Sequence, residues 1–435
     1  MGKEKVNIFW FRRDLRLDDN VGLYEALSDD SPVLPIFIFD RNILDDLEDQ
    51  DDARLTFIHR QLESIQNELS SKSTSLHTYY GKPKSVLKQL ISDFEVDTVF
   101  VNSDYEPYAR KRDQEIKDLL ANSGINWKEY KDQVIFEKDE VVKDDGDPYL
   151  VYTPYSKKWL SQLKEKDLES KPSALYFDNW LQSKEGKLIP LEEMGFSPSS
   201  LELPNSKLTD HTLEIYQEER DYPHKDSTSR LGVHLRFGTV SIRKIAKHAQ
   251  SISEVFLKEL VWREFYMVIL YHFPKVVENN FKSKYDSIQW HNDEEDFAKW
   301  KSGNTGYPLV DAGMRQLNQT GFMHNRIRML VASFLTKHLL IDWRWGEAFF
   351  ARKLLDYELA SNNGNWQWAA GTGVDAQPYF RIFNPHSQVK KFDPQEKYIK
   401  KWVPEYGTSS YVGEMIEHKF GRERALEAFK AAAKA

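Results

Sequence analysis

The first third of the chain alternates short apolar runs with stretches whose apolar residues recur at helical spacing. The runs 6–11, 33–39 and 98–101 are rich in β-branched and aromatic residues and predict buried strands. Over 53–69 the apolar residues return every three or four positions, which predicts a helix. Strands alternating with helices indicate a parallel sheet covered by helices, an α/β domain that we place at 1–137.

A glycine-rich turn is absent after the first predicted strand. The sequence there is Phe-Arg-Arg-Asp-Leu-Arg, at 11–16, instead of Gly-x-Gly-x-x-Gly. A standard dinucleotide site needs those glycines for its tight turn and for the approach of the pyrophosphate. The domain is therefore predicted to be Rossmann-like, with a parallel sheet, but without GxGxxG and without the usual nucleotide site.

The alternation stops beyond residue 137. Six prolines and many charged residues between 138 and 204 indicate a connector, with one helix near 156–163. From 205 to 435 strand patterns fade and amphipathic helical periods follow one another, which predicts an all-α domain. The clearest predicted helices are 255–272, 308–317, 323–340 and 347–359.

Composition narrows the class of protein. Hydrophobic residues make up 40% of the 435 residues, mean hydropathy is -0.63, and no apolar run approaches the roughly 20 residues that span a bilayer. The N-terminus lacks the basic, apolar and small-residue regions of a signal peptide. Without cysteine, disulfides, thiolate metal sites and cysteine nucleophiles are excluded. We expect a cytoplasmic protein with no membrane and no metal partner.

Charge is distributed unevenly along the chain. Residues 1–200 hold 27 Lys+Arg against 39 Asp+Glu, whereas residues 201–435 hold 33 against 29. The net charge of -8 disfavours nucleic-acid binding, although a local basic surface matters more than the total. The second part has the charge balance to carry such a basic surface.

Tryptophan is concentrated in the second part as well. Eight of the twelve tryptophans lie between 262 and 402, and the densest stretch is Asn-Asn-Gly-Asn-Trp-Gln-Trp at 362–368. A large aromatic core explains any single one of them. A flavin with an electron relay explains the group better, because amides and glycine accompany the indoles.

The segment 259–266 places four functional side chains on one helical face. Glu259, Trp262, Arg263 and Tyr266 follow the spacing i, i+3, i+4 and i+7. An indole and a carboxylate on one face suit a flat ligand, which the ring stacks on and the acid hydrogen-bonds. A solvated Glu/Arg stripe with a half-buried tryptophan is an equal alternative from this segment alone.

A second polar face is predicted on the helix after Met323. Asn325, Arg328 and Met329 share it and suit a polar cavity, while Arg326 is turned roughly 100° away and is free to meet a phosphate. An ordinary surface helix with two solvated arginines is equally compatible. His324 is predicted to be structural or solvent-facing, because no second ligand has metal-site spacing nearby.

The segment 228–232, Thr-Ser-Arg-Leu-Gly, is predicted to begin a helix. Small hydroxyl side chains and a glycine there expose free backbone N–H groups, which can bind a phosphate. A Ser/Thr helix cap has the same sequence pattern, so this segment alone does not distinguish the two.

These segments, in this order, resemble the photolyase/cryptochrome family of flavoproteins. The resemblance covers nearly the whole chain and is most specific in its second half. Met-His-Asn-Arg at 323–326 is similar to class I enzymes that repair cyclobutane pyrimidine dimers (CPD photolyases), since (6-4) photolyases typically have a different, histidine-containing stretch. The segments that carry the resemblance are 11–16, 262–265, 305–308, 323–326, 362–368 and 379–385.

The resemblance implies a non-covalent FAD, bent into a U within the helical domain. Arg328 and Asp356 are expected to pair beside the isoalloxazine ring. Asn362 is expected to face the flavin N5, where plant cryptochromes usually have an aspartate, so it favours repair. Glu358 stands where close relatives often have aspartate and is also expected at the flavin. The residues expected at the phosphates and ribose are Tyr216, Thr228, Ser229, Arg230, Leu231 and Gly232.

An electron relay is implied too. Trp366 is expected nearest the flavin, followed by Trp343 and then by Trp290 at the surface, so that the flavin is re-reduced after light absorption. The other tryptophans, including Trp300, Trp345 and Trp368, are assigned to packing.

The implied activity is light-driven CPD repair in UV-damaged DNA. Excited, reduced FAD would pass an electron to the dimer, the ring would split, and the electron would return. The dimer would be flipped out of the duplex, because stacked bases are inaccessible to such chemistry. Trp262 is expected to stack on the flipped bases and Glu259 to hydrogen-bond them. Further expected contacts are Asn325 and Met329 in the cavity, and Arg220, Arg326 and Gln388 on the damaged strand.

The resemblance leaves the antenna chromophore and the role in the cell open. Folate-binding members often have a glutamate where this chain has Ala109, which disfavours folate and leaves deazaflavin, FMN or no antenna. A cryptochrome-type light receptor is the main alternative, but only a short tail follows the last motif. A flavin scaffold without photochemistry is disfavoured by Asn362 and the three relay tryptophans. We expect a monomer.

Overall fold

The computed structural model describes residues 3–183 and 186–434, which form two compact units. Residues 138–204, predicted as a connector, contribute to both units, and residues 230–251, predicted within the helical domain, belong to the first. Unit 1 consists of Met1–Glu137, Gln162–Lys207 and Arg230–Ser251. Unit 2 consists of Lys138–Ser161, Leu208–Ser229 and Ile252–Ala435.

Unit 1 contains a parallel five-stranded sheet. Its strands are β1 (Lys5–Phe11), β2 (Val33–Asp40), β3 (His77–Gly81), β4 (Glu95–Asn102) and β5 (Asn126–Tyr130). Their order is β3-β2-β1-β4-β5, and Phe9 of β1 pairs with Pro35 of β2 and with Phe100 of β4. Every residue of β2 is buried, as expected for the interior of a parallel sheet that is covered on both faces. The predicted α/β fold is confirmed.

Helices follow in both units. The first nine are α1 (Val21–Leu27), α2 (Arg41–Leu44), α3 (Ala53–Ser70), α4 (Pro83–Asp93), α5 (Pro107–Ala121), α6 (Tyr152–Gln162), α7 (Asp210–Glu219), α8 (Gly232–Phe237) and α9 (Ile242–Ile252). The others are α10 (Glu254–His272), α11 (Glu294–Ser302), α12 (Pro308–Thr320), α13 (Asn325–Ser333), α14 (Trp343–Lys353), α15 (Leu359–Ala370), α16 (Pro385–Phe392), α17 (Lys397–Trp402) and α18 (His418–Ala432). Within the described residues, no helix is both long enough and apolar enough to cross a bilayer.

Unit 2 is helical, as predicted, and α10 and α12 lie where 255–272 and 308–317 predicted them. The predicted helix 347–359 is wrong. Asp342 caps α14 through the backbone N–H of Arg344, so this helix begins earlier, and it ends where Leu354 turns to an extended conformation. A new helix, α15, begins after Glu358.

The predicted helix 323–340 is interrupted as well. His324 accepts a hydrogen bond from the backbone N–H of Arg326 and thereby caps α13, which begins at Asn325. A π-helical turn over Phe334–His338 follows α13 directly. His324 is only 3% exposed, so it is a structural residue, one of the two roles predicted for it.

Candidate functional site

A cavity of about 580 Å³ lies in unit 2 beside α13, α14 and α15. Aromatic rings, amides and one ion pair form its walls. The predicted site residues that line it are Asn325, Arg328, Met329, Asp356, Glu358, Asn362 and Trp366.

Helix α15 forms one wall of this cavity. Ser361, Asn365 and Trp368 line the cavity at the spacing i, i+4 and i+7, so they share one face of the helix. Gly364 lets α15 approach α10, because a Cβ at this position would lie 2.2 Å from the ring of Tyr266. Trp368, assigned to packing from the sequence, therefore belongs to the cavity wall. In the sequence, the spacing of seven positions between Ser361 and Trp368 was the feature that indicated a shared helical face.

Asn362 is held by a residue that the sequence did not indicate. Its amide nitrogen donates to the Glu347 carboxylate at 2.8 Å and to the Glu347 backbone carbonyl at 3.1 Å. Burial raises the pKa of Glu347, and the hydrogen bond from Asn362 opposes that rise. Since the amide nitrogen is engaged, the amide oxygen of Asn362 remains available as an acceptor.

Glu347 was missed because the wrong helix boundary separated it from Trp343. In α14 these residues are four positions apart and share a helical face. An acid on a face that also carries Trp343 and Phe350 is unusual, and with the correct helix it would have indicated a buried polar contact.

Arg328 and Asp356 form the ion pair at the cavity edge. The guanidinium donates to both carboxylate oxygens, at 2.9 and 3.1 Å, and its Nε donates to the backbone carbonyl of Met323 at 2.7 Å. These bonds fix the plane of the guanidinium group. The two residues form the expected ion pair at the cavity, and their place beside a flavin ring stays a prediction.

The polar face of α10 contacts other elements of unit 2 and is not a solvated stripe. Glu259 accepts from Arg220 at 2.5 Å, and Arg263 pairs with Glu358 at 3.1 Å. Trp262 lies against Tyr152. Through the pair with Glu358, this face adjoins the cavity.

The two arginines predicted to contact DNA have carboxylate partners in the structure. Arg326, which the sequence left free for a phosphate, pairs with Asp221 at 2.5 Å, and its guanidinium lies 4.5 Å from the ring centroid of Phe392. Arg220 is similarly engaged by Glu259. Gln388 lies on α16 and is partly buried. A phosphate at either arginine would therefore compete with a carboxylate.

Of the three predicted relay tryptophans, the two placed nearer the flavin are buried and the last one, Trp290, reaches the surface. Trp366 and Trp343 are 2% and 0% exposed, whereas Trp290 is partly exposed. The indole N–H of Trp343 donates to the Asn280 amide oxygen at 2.8 Å. Trp300 and Trp345 pack against Phe297 in the core of unit 2, consistent with their assignment to packing.

The residues predicted at the flavin phosphates do not form one cluster within a single unit. Thr228 and Ser229 belong to unit 2, whereas Arg230, Leu231 and Gly232 belong to unit 1. Helix α8 begins at Gly232, and Arg230 has a positive φ of 51°. Their role remains a prediction. Tyr216, in unit 2, contacts Phe256 edge to face at 5.0 Å.

The cavity suits the isoalloxazine ring of a flavin. Trp366 and Phe350 supply apolar walls, and the amide of Asn362 and the pair of Arg328 with Asp356 supply hydrogen-bonding groups. A flat heteroaromatic ring with polar edges needs this combination.

Sequence comparison then identifies the family. Residues 7–173 match the family described as DNA photolyase, and residues 256–411 match the FAD binding domain of DNA photolyase. A deoxyribodipyrimidine photo-lyase of Halobacterium salinarum is 38% identical, over 92% of this chain and 89% of the relative. The chain belongs to the DNA photolyase family. The predicted FAD binding is confirmed at the level of this family domain.

Solved photolyase structures show the same fold. A bacterial class III photolyase from Agrobacterium tumefaciens has a TM-score of 0.87 and 34% identity, over 100% of this chain and 99% of that one. An archaeal photolyase from Sulfolobus tokodaii, solved with two FAD molecules, has a TM-score of 0.81 and 34% identity, over 98% and 100%. In this photolyase chain Ala109 is buried in α5, at 3% exposure.

Proposed function

We propose that this photolyase-family chain repairs cyclobutane pyrimidine dimers in UV-damaged DNA under light. The observation that carries the proposal is the cavity, where Asn325 and Met329 of α13 face Asn362, Trp366 and Trp368 of α15. The flavin ring takes the side of the cavity lined by Asn362 and Trp366, and Asn325 and Met329 on α13 remain for the edges of the pyrimidines. FAD, when bound, supplies the light-driven electron donation that splits the dimer.

The residues around the flavin position have separate tasks. Arg328 and Asp356 hold the ring edge through a fixed ion pair. Asn362 presents its amide oxygen, because Glu347 engages the nitrogen, and so it accepts from an N–H such as that of a reduced flavin N5. Thr228, Ser229, Arg230, Leu231, Gly232 and Tyr216 remain our proposed residues for the phosphates and ribose.

The protein residues that we propose for substrate contact bind bases that have been flipped out of the DNA duplex. Flipping is less costly at a damaged site, where stacking is already disturbed. Trp262 then stacks on the flipped bases, and Glu259 forms a hydrogen bond with the edge of a base. Arg220, Arg326 and Gln388 contact the strand, and the two arginines exchange a carboxylate partner for a phosphate.

A direct experiment tests the repair function. Purified, reduced protein is mixed with a dimer-containing oligonucleotide and illuminated with blue or near-UV light. We expect light-dependent loss of dimers, none in the dark, and no change in undamaged oligonucleotide. Dimers that persist under light would overturn the repair function and favour the cryptochrome-type light receptor.

Trp262→Ala is expected to weaken binding of dimer-containing DNA by roughly five- to 150-fold, since stacking of a base on an aromatic ring contributes about 1–3 kcal/mol. Flavin content, read from the absorbance of the purified protein, should stay that of wild type. A fluorescence titration with labelled oligonucleotide measures the affinity, and Trp127→Ala in unit 1 serves as the matched control. Loss of flavin together with affinity would show that Trp262 belongs to the cofactor site instead.

Trp290→Phe is expected to slow photoreduction of oxidised flavin several-fold, because phenylalanine is a poor electron donor to an oxidised neighbouring tryptophan. Repair by protein that is supplied with chemically reduced flavin should be unchanged. Flavin absorbance during illumination measures photoreduction, and Trp345→Phe is the control because it replaces a partly buried tryptophan outside the relay. Equal rates in wild type and Trp290→Phe would remove Trp290 from the relay.

A further inference from the structure

Trp262 is covered on one face by another ring of unit 2. Tyr152, the first residue of α6, lies parallel to it, with ring centroids 3.5 Å apart and an interplanar angle of 6°. At this separation nothing else fits between the rings. The face of Trp262 that contacts Tyr152 is therefore closed to any ligand, and a base can stack only on the remaining indole surface.

Three contacts hold Tyr152 in this position. Its hydroxyl donates to the backbone carbonyl of Lys258 at 2.8 Å, one turn before Trp262 on α10. Its backbone N–H donates to the Asp375 carboxylate at 3.0 Å. The ring also meets Phe265 edge to face at 5.9 Å. Because these contacts come from different directions, they fix both the place and the plane of the Tyr152 ring.

The hydroxyl of Tyr152 is protonated at neutral pH and can donate its hydrogen bond to Lys258. Burial, helped by the charge of Glu259, raises the pKa of Tyr152 to about 12, although a hydrogen bond with Ser156 and the charge of Arg220 lower it.

We propose that Tyr152 is a positioning residue for the substrate: it supports Trp262 from behind and fixes the indole plane before DNA binds. The inference rests on the proposed repair function and on the stacking role of Trp262. An unsupported indole rotates freely, and DNA binding would have to immobilise it. Immobilising such a side chain weakens binding by roughly two- to twelvefold. Because Tyr152 already holds the indole in the folded protein, this loss of side-chain freedom occurs on folding and does not weaken DNA binding. A segment that the sequence predicted as a connector thus takes part in substrate recognition.

A double-mutant cycle tests the proposal with the full-length flavoprotein. Tyr152→Leu removes the stacked ring, and Tyr152→Phe keeps the ring but removes the hydroxyl. Each is made alone and together with Trp262→Ala, and the dissociation constants for dimer-containing and undamaged oligonucleotide are measured. We expect Tyr152→Leu to lose roughly two- to twelvefold in affinity for damaged DNA only, and Tyr152→Phe to bind within about twofold of wild type.

The decisive result is the coupling between the two positions. In the Trp262→Ala background, Tyr152→Leu should cause no further loss, since there is no indole left to position. An equal loss in both backgrounds would overturn the proposal, because Tyr152 would then act independently of Trp262. Wild-type affinity for Tyr152→Leu would overturn it as well.

A second variant covers the case in which Tyr152→Leu does not fold. Asp375→Gly removes the acceptor of the Tyr152 backbone N–H without changing either ring, and glycine tolerates the positive φ of 44° at this position. We expect a smaller loss of affinity, again absent with Trp262→Ala. If the stacking role of Trp262 is wrong, Trp262→Ala will bind damaged DNA like wild type. This result separates a failure of the stacking role from a failure of the positioning role of Tyr152. If Trp262→Ala weakens binding and neither Tyr152→Leu nor Asp375→Gly does, only the positioning role is wrong.

Discussion

Lowering the pH from 7 to 5 is expected to reduce the free energy of unfolding by about 4 kcal/mol through two buried histidines alone. Burial lowers the pKa of His324 to about 4 and the pKa of His338 to about 3. In the unfolded chain both have a pKa near 6.5, so the unfolded state binds more protons below that pH. Stability is therefore lost as the pH falls through 6.5 towards the folded-state values, at about 2 kcal/mol for each histidine by pH 5.

Each histidine has partners that explain why it stays neutral. His338 is 0% exposed, lies 4.8 Å from the ring of Phe334 and shares one hydrogen bond of 2.8 Å with His418. Burial disfavours a charge on His338, and the neighbouring His418 lowers its pKa further. Arg326 and Arg328 also disfavour a charge on His324, while Asp221 opposes them.

Urea titrations at pH 7 and pH 5 measure this effect. The comparison variant combines His324→Asn, which can still cap α13, with His338→Gln, which can still donate to His418. We expect the variant to lose about 4 kcal/mol less than wild type between the two pH values. Parallel losses in both proteins would contradict the assignment of the acid sensitivity to these histidines.

Gly346→Ala is expected to destabilise the protein by about 1–3 kcal/mol, the usual range for overpacking a core. The added Cβ would lie 2.1 Å from the indole of Trp366 and 2.6 Å from a methyl of Leu335. Alanine would otherwise favour the helix, so the sign of the effect is diagnostic. Because Trp366 must move to relieve the clash, slower flavin photoreduction should accompany the loss of stability.

Thermal unfolding and illumination of the same preparation check both expectations for Gly346→Ala. Gly413→Ala is the control, because no atom lies within 4 Å of the added Cβ, and its stability should change by less than about 0.5 kcal/mol. If Gly346→Ala unfolds like wild type, the close packing of α14 against Trp366 is not a constraint on the relay.

The sequence predicted elements whose apolar residues are buried in a regular pattern. Strands β1, β2 and β4 are largely buried, and α10 is long, so their patterns are unambiguous. The strands β3 and β5 were not predicted, since they lie at the sheet edges and contain one buried residue and none, respectively. An edge strand forms because it pairs with the neighbouring strand, and this pairing leaves no pattern in the sequence of the edge strand itself.

The residues of the site also divide into those that the sequence predicted and those that it did not. Arg328, Asp356 and Asn362 were assigned to the flavin from the family resemblance, and the structure places all three at one cavity. Glu347 and Tyr152 lie outside the motifs, and each meets its partner across a helix boundary or a long separation in sequence. Such contacts leave no periodic pattern, so only the folded chain reveals them.

The bond between Asn362 and Glu347 restricts which residues these two positions can hold. An aspartate at 362, usual in plant cryptochromes, would bring a second carboxylate to the place where the amide nitrogen now lies 2.8 Å from Glu347. Two carboxylates at that distance cannot both ionise, so one would retain a proton. A lineage that exchanges Asn362 for aspartate must therefore either tolerate a buried proton or change Glu347 too, and the two positions are expected to vary together.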